Sequence, residues 1–519
     1  MAKDIYPKTI KDFLDHISKY GSRQALVTYG SDDSLSYSVM IDRILLTAAN
    51  LKNHKNLHIG DRIMLYGLSG PDWVVVFFAC LLDGYVALPI DSRMSSELIE
   101  ELIKKTNPKI IISKDRIKLK ISADNVLVSQ IVKDKVSALN IQDFETLGGD
   151  VLAEIILTSG TWSQPKGVTL THKNLLSNLK GVDTAYKLAD GAKLLSILPL
   201  SHAYEQMVGL MVPLYRGASI AYVNEIRADI LTDAIKDGEI TTIVAVPRIL
   251  ELLQKGVLKK VSQSNRHAFN KFVINARYLP ISVRRKLFTK VHESLGPSLT
   301  TFTIGGAPLE QSLDHFFQGL GYTVLVGYGL SETSPVLSIS LEQKRKAGSV
   351  GRPLANVNIE LSTDGEVVAR GDSVFHGYWP EKHKGKKFKT GDLGHFDDHG
   401  NIVLTGRSKN LVVFPSGDKI FLEDIERIAD GFSGINESCA ANIGDDNNPH
   451  IHLFVITTHQ RLDHLREKIN SKLPFGVNVR TVSRARIEAL PRTHTLKLSR
   501  KQIIDCHYKD IEKVTARPS

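Results

Sequence analysis

Arg62-Ile63-Met64-Leu65-Tyr66, Trp73-Val74-Val75-Val76-Phe77-Phe78-Ala79-Cys80-Leu81-Leu82 and Tyr85-Val86-Ala87-Leu88-Pro89-Ile90 follow one another in the chain. The first and third are short apolar runs rich in residues that favour strands, and the second is a longer run of helical length. Strand, helix and strand in so little chain predict a crossover unit, with two parallel strands joined by a buried helix. Asp83 and Gly84 end the middle run, which is too short to span a bilayer, where about 20 apolar residues are needed.

The same alternation extends in both directions. A helix is expected over 37–51, another over 96–105, and a β-branched strand over 109–113. Further strands are expected over 154–158, 194–198, 218–223, 241–246, 301–304 and 323–326, most of them running into Gly, Pro or Ser. Open α/β sheets bind ligands at those strand ends. From about residue 347 short strand-like runs take over, at 358–361, 365–370 and 401–405. The last hundred or so residues read as α+β, with helices over 422–428, 462–473 and 498–506 and strands over 438–443 and 450–457. The expected fold is α/β, with a large N-terminal domain (1–405, its β-rich subdomain 347–405) and a small mobile α+β domain (406–519).

With 519 residues, the chain is long enough for about three structural units at roughly 100–200 residues each. Its 42% hydrophobic and 24% charged content excludes disordered, mucin-like and collagenous classes. Cys80, Cys439 and Cys506 lie far apart with no CxxC pair, which argues against a disulfide framework or a structural zinc cluster. That usage suits a reducing cytoplasm, and 1–6 lacks an apolar signal core. The net charge of +10 suits acidic partners: nucleotides, CoA, nucleic acid or an anionic membrane. The plain alternative is a basic solvated surface with its charges dispersed.

Four segments carry chemistry. Thr158-Ser159-Gly160-Thr161-Trp162-Ser163-Gln164-Pro165-Lys166-Gly167 follows a strand and precedes a helix expected from Thr171. Small hydroxyl residues and a lysine after a strand can wrap phosphates with backbone N–H groups. Pro165 and Gly167 stand where a Walker loop needs Gly and Ser or Thr, so that loop is excluded. Gly327-Tyr328-Gly329-Leu330-Ser331-Glu332-Thr333 sets a tyrosine between glycines after a strand, where its ring can face a base, and Glu332 can hold a magnesium ion. Thr390-Gly391-Asp392, with Gly406-Arg407-Ser408-Lys409 after it, offers a carboxylate for ribose hydroxyls. The fourth segment is the basic Pro491-Arg492-Thr493-His494-Thr495-Leu496-Lys497-Leu498-Ser499-Arg500. Taken singly, each also reads as a surface turn or loop.

In this order and spacing the four segments resemble the adenylate-forming superfamily, over nearly the whole chain. Leu198-Pro199-Leu200-Ser201-His202-Ala203-Tyr204-Glu205 and Val246-Pro247-Arg248-Ile249-Leu250-Glu251 look like its long-chain fatty acyl-CoA synthetases. The resemblance implies an acid–thiol ligase. A fatty acid and ATP give acyl-adenylate and pyrophosphate; CoA then takes the acyl group and AMP leaves. It implies ATP and CoA as substrates and Mg2+ as cofactor. By motif, Lys497 bridges carboxylate and α-phosphate, and Thr158, Ser159, Gly160, Thr161 and Lys166 cradle the outer phosphates. Ser331 touches the α-phosphate, Glu332 ligates Mg2+, and His202 joins the catalytic set. Gly327, Tyr328, Gly329, Gly305, Gly306 and Ala307 flank adenine and the acyl site. Asp392 holds ribose beside Arg407, Lys409 is the pivot of the C-terminal domain, and Gly417 approaches CoA.

This chain departs from the family at Trp162 and Ser163, where a small hydroxyl residue and Gly are usual, and at Leu496, where Gly is usual. Three alternatives stay open: an acyl-carrier-protein acceptor, a medium-chain or aryl acid, and a non-catalytic acyl or nucleotide binder. Peripheral contact with an anionic inner-membrane face is also open, and no nucleic-acid partner is expected.

Overall fold

The computed structural model describes residues 6–31, 33–54, 57–67, 70–116, 124–132, 139–158, 166–223, 225, 227–341, 345–381, 387–445, 448–485, 490–492 and 498–506. The expectations for Ser159, Gly160, Thr161, Trp162, Ser163, Leu496 and Lys497 lie outside the described residues. The chain divides into two compact units. One comprises Met1–Glu360, Val368–Phe388 and Phe396–Val403, and the other Leu361–Val367, Lys389–His395 and Leu404–Ser519.

The expected crossover unit is present in the first. Strands Arg62–Tyr66 and Val86–Ile90 pair in parallel, Arg62 opposite Val86. Between them runs the helix Gly70–Leu82, buried at every position but Asp72. An all-round apolar helix is stable only where it is covered on all sides. These strands belong to a seven-stranded sheet ordered Gly377–Trp379, Lys166–Thr171, Leu152–Thr158, Val86–Ile90, Arg62–Tyr66, Ile110–Ser113 and Asn125–Leu127. A second sheet has a parallel run of Gln24–Thr28, Ser219–Tyr222, Lys193–Ser196, Thr242–Ala245, Thr301–Ile304 and Thr323–Gly329. Antiparallel Val336–Ser340 and Ser349–Pro353 continue it.

The helix expected from Thr171 is present, with Thr171 as its N-cap. Two strands go beyond what was expected. Lys166–Thr171 is a strand that folds back antiparallel on Leu152–Thr158, with Thr158 opposite Lys166, and the helix His172–Ala185 starts only afterwards. The alternation of Val168, Leu170 and their neighbours is a strand pattern, and the partner strand realises it. The strand expected over 323–326 runs on to Gly329, because Val336–Ser340 returns alongside and pairs Tyr328 with Ser338. Tyr328 therefore lies within a ladder, 9% exposed, rather than on a turn with a free ring face.

The second unit holds a three-stranded sheet. Ile435–Asn442 and Ile451–Thr457 are antiparallel, and Thr481–Arg484, not expected from the sequence, adds in parallel. Helices Leu422–Asp430 and Leu462–Asn470 are amphipathic, burying Ile425, Leu465 and Ile469 in one core with Leu453 and Val455 of the sheet.

Candidate active site

At the closed end of the hairpin, Thr158 Oγ1 lies 3.4 Å from the carbonyl oxygen of Lys166. Gly167, next along, is opposite Trp379. A Cβ there would come within 2.8 Å of Ile155 Cγ2 and 3.2 Å of Trp379 Cβ, so only glycine lets the two strands close at this point. The pairing sets Tyr378 beside the lysine, with Lys166 Nζ 4.8 Å from the centre of the tyrosine ring.

Tyr378 also meets the second motif. Its hydroxyl donates a 2.8 Å hydrogen bond to Glu332 Oε1. Burial, and after it the charge of Glu332, pushes the phenol well above its ordinary pKa, so it stays a donor. Glu332 sits on a short 3₁₀ turn, Ser331–Thr333, and is 9% exposed. Its backbone oxygen accepts from Phe375 N at 2.8 Å. Lys166 and Glu332, from two different motifs, are thus brought together by a tyrosine to which the sequence reading gave no role.

Two asparagines on the buried face of His172–Ala185 hold the surroundings. Asn178 donates to the backbone oxygens of Thr333 and Val336 and accepts from Val336 N. Asn174 donates to the backbone oxygens of Asp372 and Val374. Two polar residues at i and i+4 on a buried helix face are the sequence signal that could have revealed them.

Behind this turn lies an apolar cavity of about 50 Å³, lined by Tyr186, Leu194, Tyr204, Val208, Leu325 and Ile339. Gly327 and Val336, which flank the Glu332 turn in the chain, line it as well. Tyr204 explains one of the expected glycines: a Cβ on Gly305 would stand 2.7 Å from its ring, whereas one on Gly327 would lie 3.9 Å away, an ordinary contact. Gly306 takes φ +79°, a conformation that side chains disfavour, before the half-buried Ala307. A Cβ on Gly329 would meet Pro335 O at 1.8 Å. His202 is half-buried just ahead of the π-helix Glu205–Met211, which carries Val208 into the cavity wall.

The second unit holds the remaining expected residues. Arg407 Nε lies 2.7 Å from Asp392 Oδ1, so these two do meet. Thr390 Oγ1 accepts from Asp392 N, and Gly391 N donates to Glu366. Lys409 stands at the middle of the 3₁₀ turn Ser408–Asn410. Its pKa is lowered by partial burial first and then by Arg407 and Arg500. Gly417 turns at φ +88° between the strands Leu411–Val413 and Lys419–Phe421. The basic segment is closed at its base. Arg492 and Leu498 form an antiparallel bridge, Leu490 N donates to Glu437 Oε2 at 3.0 Å, and Arg492 pairs with Glu437 Oε1. The sequence reading missed Glu437.

The described residues contain no cluster of three or more metal-ligating side chains. A lone, oriented carboxylate still fits Mg2+, which takes one or two carboxylates and fills its shell with water and phosphate oxygens. Among the described residues no helix is long and apolar enough to cross a membrane.

The fold is that of adenylate-forming enzymes. Bacillus subtilis O-succinylbenzoate coenzyme A synthetase in complex with AMP superposes with a TM-score of 0.76 at 19% identity, over 94% of this chain and 97% of that one. A Mycobacterium tuberculosis fatty acyl CoA synthetase superposes with a TM-score of 0.69 at 21% identity, over 97% and 99%. The model of the AMP-binding enzyme family matches residues 13–379, and the chain belongs to that family. Curated relatives include a long-chain-fatty-acid–CoA ligase of Mycobacterium bovis, 27% identical over 70% of this chain and 67% of that protein. Another is long chain acyl-CoA synthetase 1 of Arabidopsis thaliana, 24% identical over 82% of this chain and 74% of that protein. These relatives are acid–thiol ligases, the enzyme class expected from the sequence.

Proposed function

We propose that this enzyme activates a fatty acid with ATP and passes the acyl group to CoA. The observation that carries the reading is the meeting of Lys166 and Glu332 through Tyr378, which sets a cation and an oriented carboxylate side by side for the nucleotide phosphates and their metal ion. The fatty acid as substrate is taken from the curated long-chain-fatty-acid–CoA ligase relatives. The small apolar cavity beside Gly327 suits only the first carbons of an aliphatic acid, and the adjoining turn suits its carboxylate and the nucleotide phosphates.

In the first half-reaction a carboxylate oxygen attacks the α-phosphorus, and the bond to pyrophosphate breaks. Two anions must approach, so cations and N–H donors have to be in place beforehand. Lys166, with Thr158, Ser159, Gly160 and Thr161, would receive the departing phosphates, and Ser331 the α-phosphate. Glu332, oriented by Tyr378, would hold Mg2+; when bound, the ion neutralises charge between phosphate oxygens. Asp392, with Arg407 at its side, would hold the ribose. Lys497 would bridge the two reacting anions; Glu437 holds Leu490 and Arg492, the described residues that precede it in the chain. In the second half-reaction the CoA thiolate attacks the acyl carbon and AMP leaves as its phosphate oxygen takes the bonding electrons. Residues 406–519 would act as a lid pivoting at Lys409, with Gly417 on the face that meets CoA.

ATP–pyrophosphate exchange with saturated, medium-chain, long-chain and aryl acids tests the first step, and thioester formation with CoA or acyl carrier protein tests the second. Exchange stimulated most by an aryl acid, or by none, overturns the fatty-acid reading. Thioester on the carrier protein alone overturns CoA as acceptor.

A further inference from the structure

The positive charge of this chain is concentrated rather than dispersed. From Leu252 to His292 there are ten Lys and Arg residues and no Asp or Glu. Those ten equal the net charge of the whole chain, +10, so the remainder is formally neutral. The bases alternate with apolar residues and never form a long run, which hides the imbalance from a search for charge blocks.

The segment folds into the helices Pro247–Lys259, Arg266–Ala276, Ile281–Leu287 and Thr289–Leu295 of the first unit. Their surface breaks the usual rule. In Ile281–Leu287 it is Arg284 that is buried, its guanidinium bonded to the backbone oxygen of Gln318, while Ile281, Val283 and Leu287 face outward. A helix that only had to be soluble would place them the other way round. Six of the thirteen large hydrophobic side chains exposed among the described residues fall between Phe272 and Leu287, with Tyr278 63% exposed. The rings of Phe272 and Phe288, 5.9 Å apart, tie Arg266–Ala276 to the short helices. Lys271, Lys286 and Lys290 are exposed within the same stretch.

Nucleic acid would accept the bases but offers nothing to protruding aliphatic side chains. An anionic bilayer accepts both, since its headgroup phosphates attract cations and its acyl boundary takes short apolar side chains. We propose that this surface docks the enzyme on an anionic lipid bilayer, Lys271, Lys286 and Lys290 meeting headgroup phosphates while Tyr278, Val283 and Leu287 enter the interface. This surface shares no residue with the catalytic site, and its docking role is independent of the acid that is activated.

Sedimentation of the full chain with vesicles tests it, using phosphatidylcholine alone and an equal mixture with phosphatidylglycerol, at low and high salt. The protein should bind the mixed vesicles, bind phosphatidylcholine far more weakly, and release partly in salt. Reversing Lys271, Lys286 and Lys290 to Glu together should weaken binding about 100-fold or more, as each base near the surface contributes about a factor of five. Val283→Asp with Leu287→Asp, on exposed positions, should remove the salt-resistant fraction. Both variants should keep the wild-type melting temperature and their pyrophosphate exchange with a water-soluble acid. Equal binding to both vesicle types, no binding at low salt, or a triple reversal that binds like wild type would overturn the proposal. So would retention of nucleic acid or an acidic protein without binding to the mixed vesicles.

Discussion

Tyr378→Phe removes one oxygen and tests how the two motifs are joined. The ring that lies 4.8 Å from Lys166 Nζ is kept, so the cation–π contact persists. Only the 2.8 Å hydrogen bond to Glu332 Oε1 is lost. A hydrogen bond to a charged group is worth about 1.5–3 kcal/mol when sheltered. Tyr378 is partly exposed and water can replace some of it, so a loss of about 1 kcal/mol in stability is expected. The catalytic effect should be larger, because an unanchored carboxylate must be ordered each time it receives Mg2+. A rise of about ten-fold in KM for MgATP corresponds to about 1.4 kcal/mol. The assay is pyrophosphate exchange over a range of Mg2+ concentrations for wild type, Tyr378→Phe, Glu332→Gln and the double variant. If the tyrosine acts through the glutamate, the double variant should be no worse than Glu332→Gln alone, a coupling of about 1 kcal/mol or more. Additive losses would refute the reasoning, since the hydroxyl would then act independently of the carboxylate.

Three further outcomes are expected. Burial pushes the Glu154 carboxyl up to about 8, with the side chain of Gln206 opposing the shift. Between about pH 4.5 and 8 the folded state holds a proton that the unfolded chain has released, so stability is greatest at the acid end of that window. It falls by up to about 1.4 kcal/mol per pH unit as pH rises. Urea unfolding of Glu154→Gln should show a shallower pH slope and greater stability near pH 8, and an unchanged slope would show that Glu154 is not the titrating group. Glu437→Gln loosens the clamp on Leu490 and Arg492, and should slow pyrophosphate exchange about ten-fold with little change in the melting temperature of the first unit; exchange at the wild-type rate would remove Glu437 from the positioning machinery. Gly167→Ala pushes a Cβ to 2.8 Å from Ile155 Cγ2 and should cost about 1–3 kcal/mol, read by thermal unfolding.

The strand-helix-strand order, the strands Arg62–Tyr66 and Thr301–Ile304 and the helix start near Thr171 were legible because each depends on neighbours in the chain: apolar period, β-branching, the residues that open a helix. The candidate site residues were proposed through motifs whose members are close in sequence. Partnership was not legible. Tyr378 reaches Glu332 across 46 residues, and its strand pairs with Lys166–Thr171 from more than 200 residues away. Nothing local to Tyr378 predicts either contact. The burial of Tyr328 followed in the same way from a returning strand, which turned an expected free ring into a ladder position. Charge divides along the same line. The sequence alone set the count of ten bases without an acid between Leu252 and His292. Only tertiary structure, by burying Arg284 against Gln318 and leaving Val283 and Leu287 outside, decided which face they present, because which side of a helix is inside depends on what packs against it.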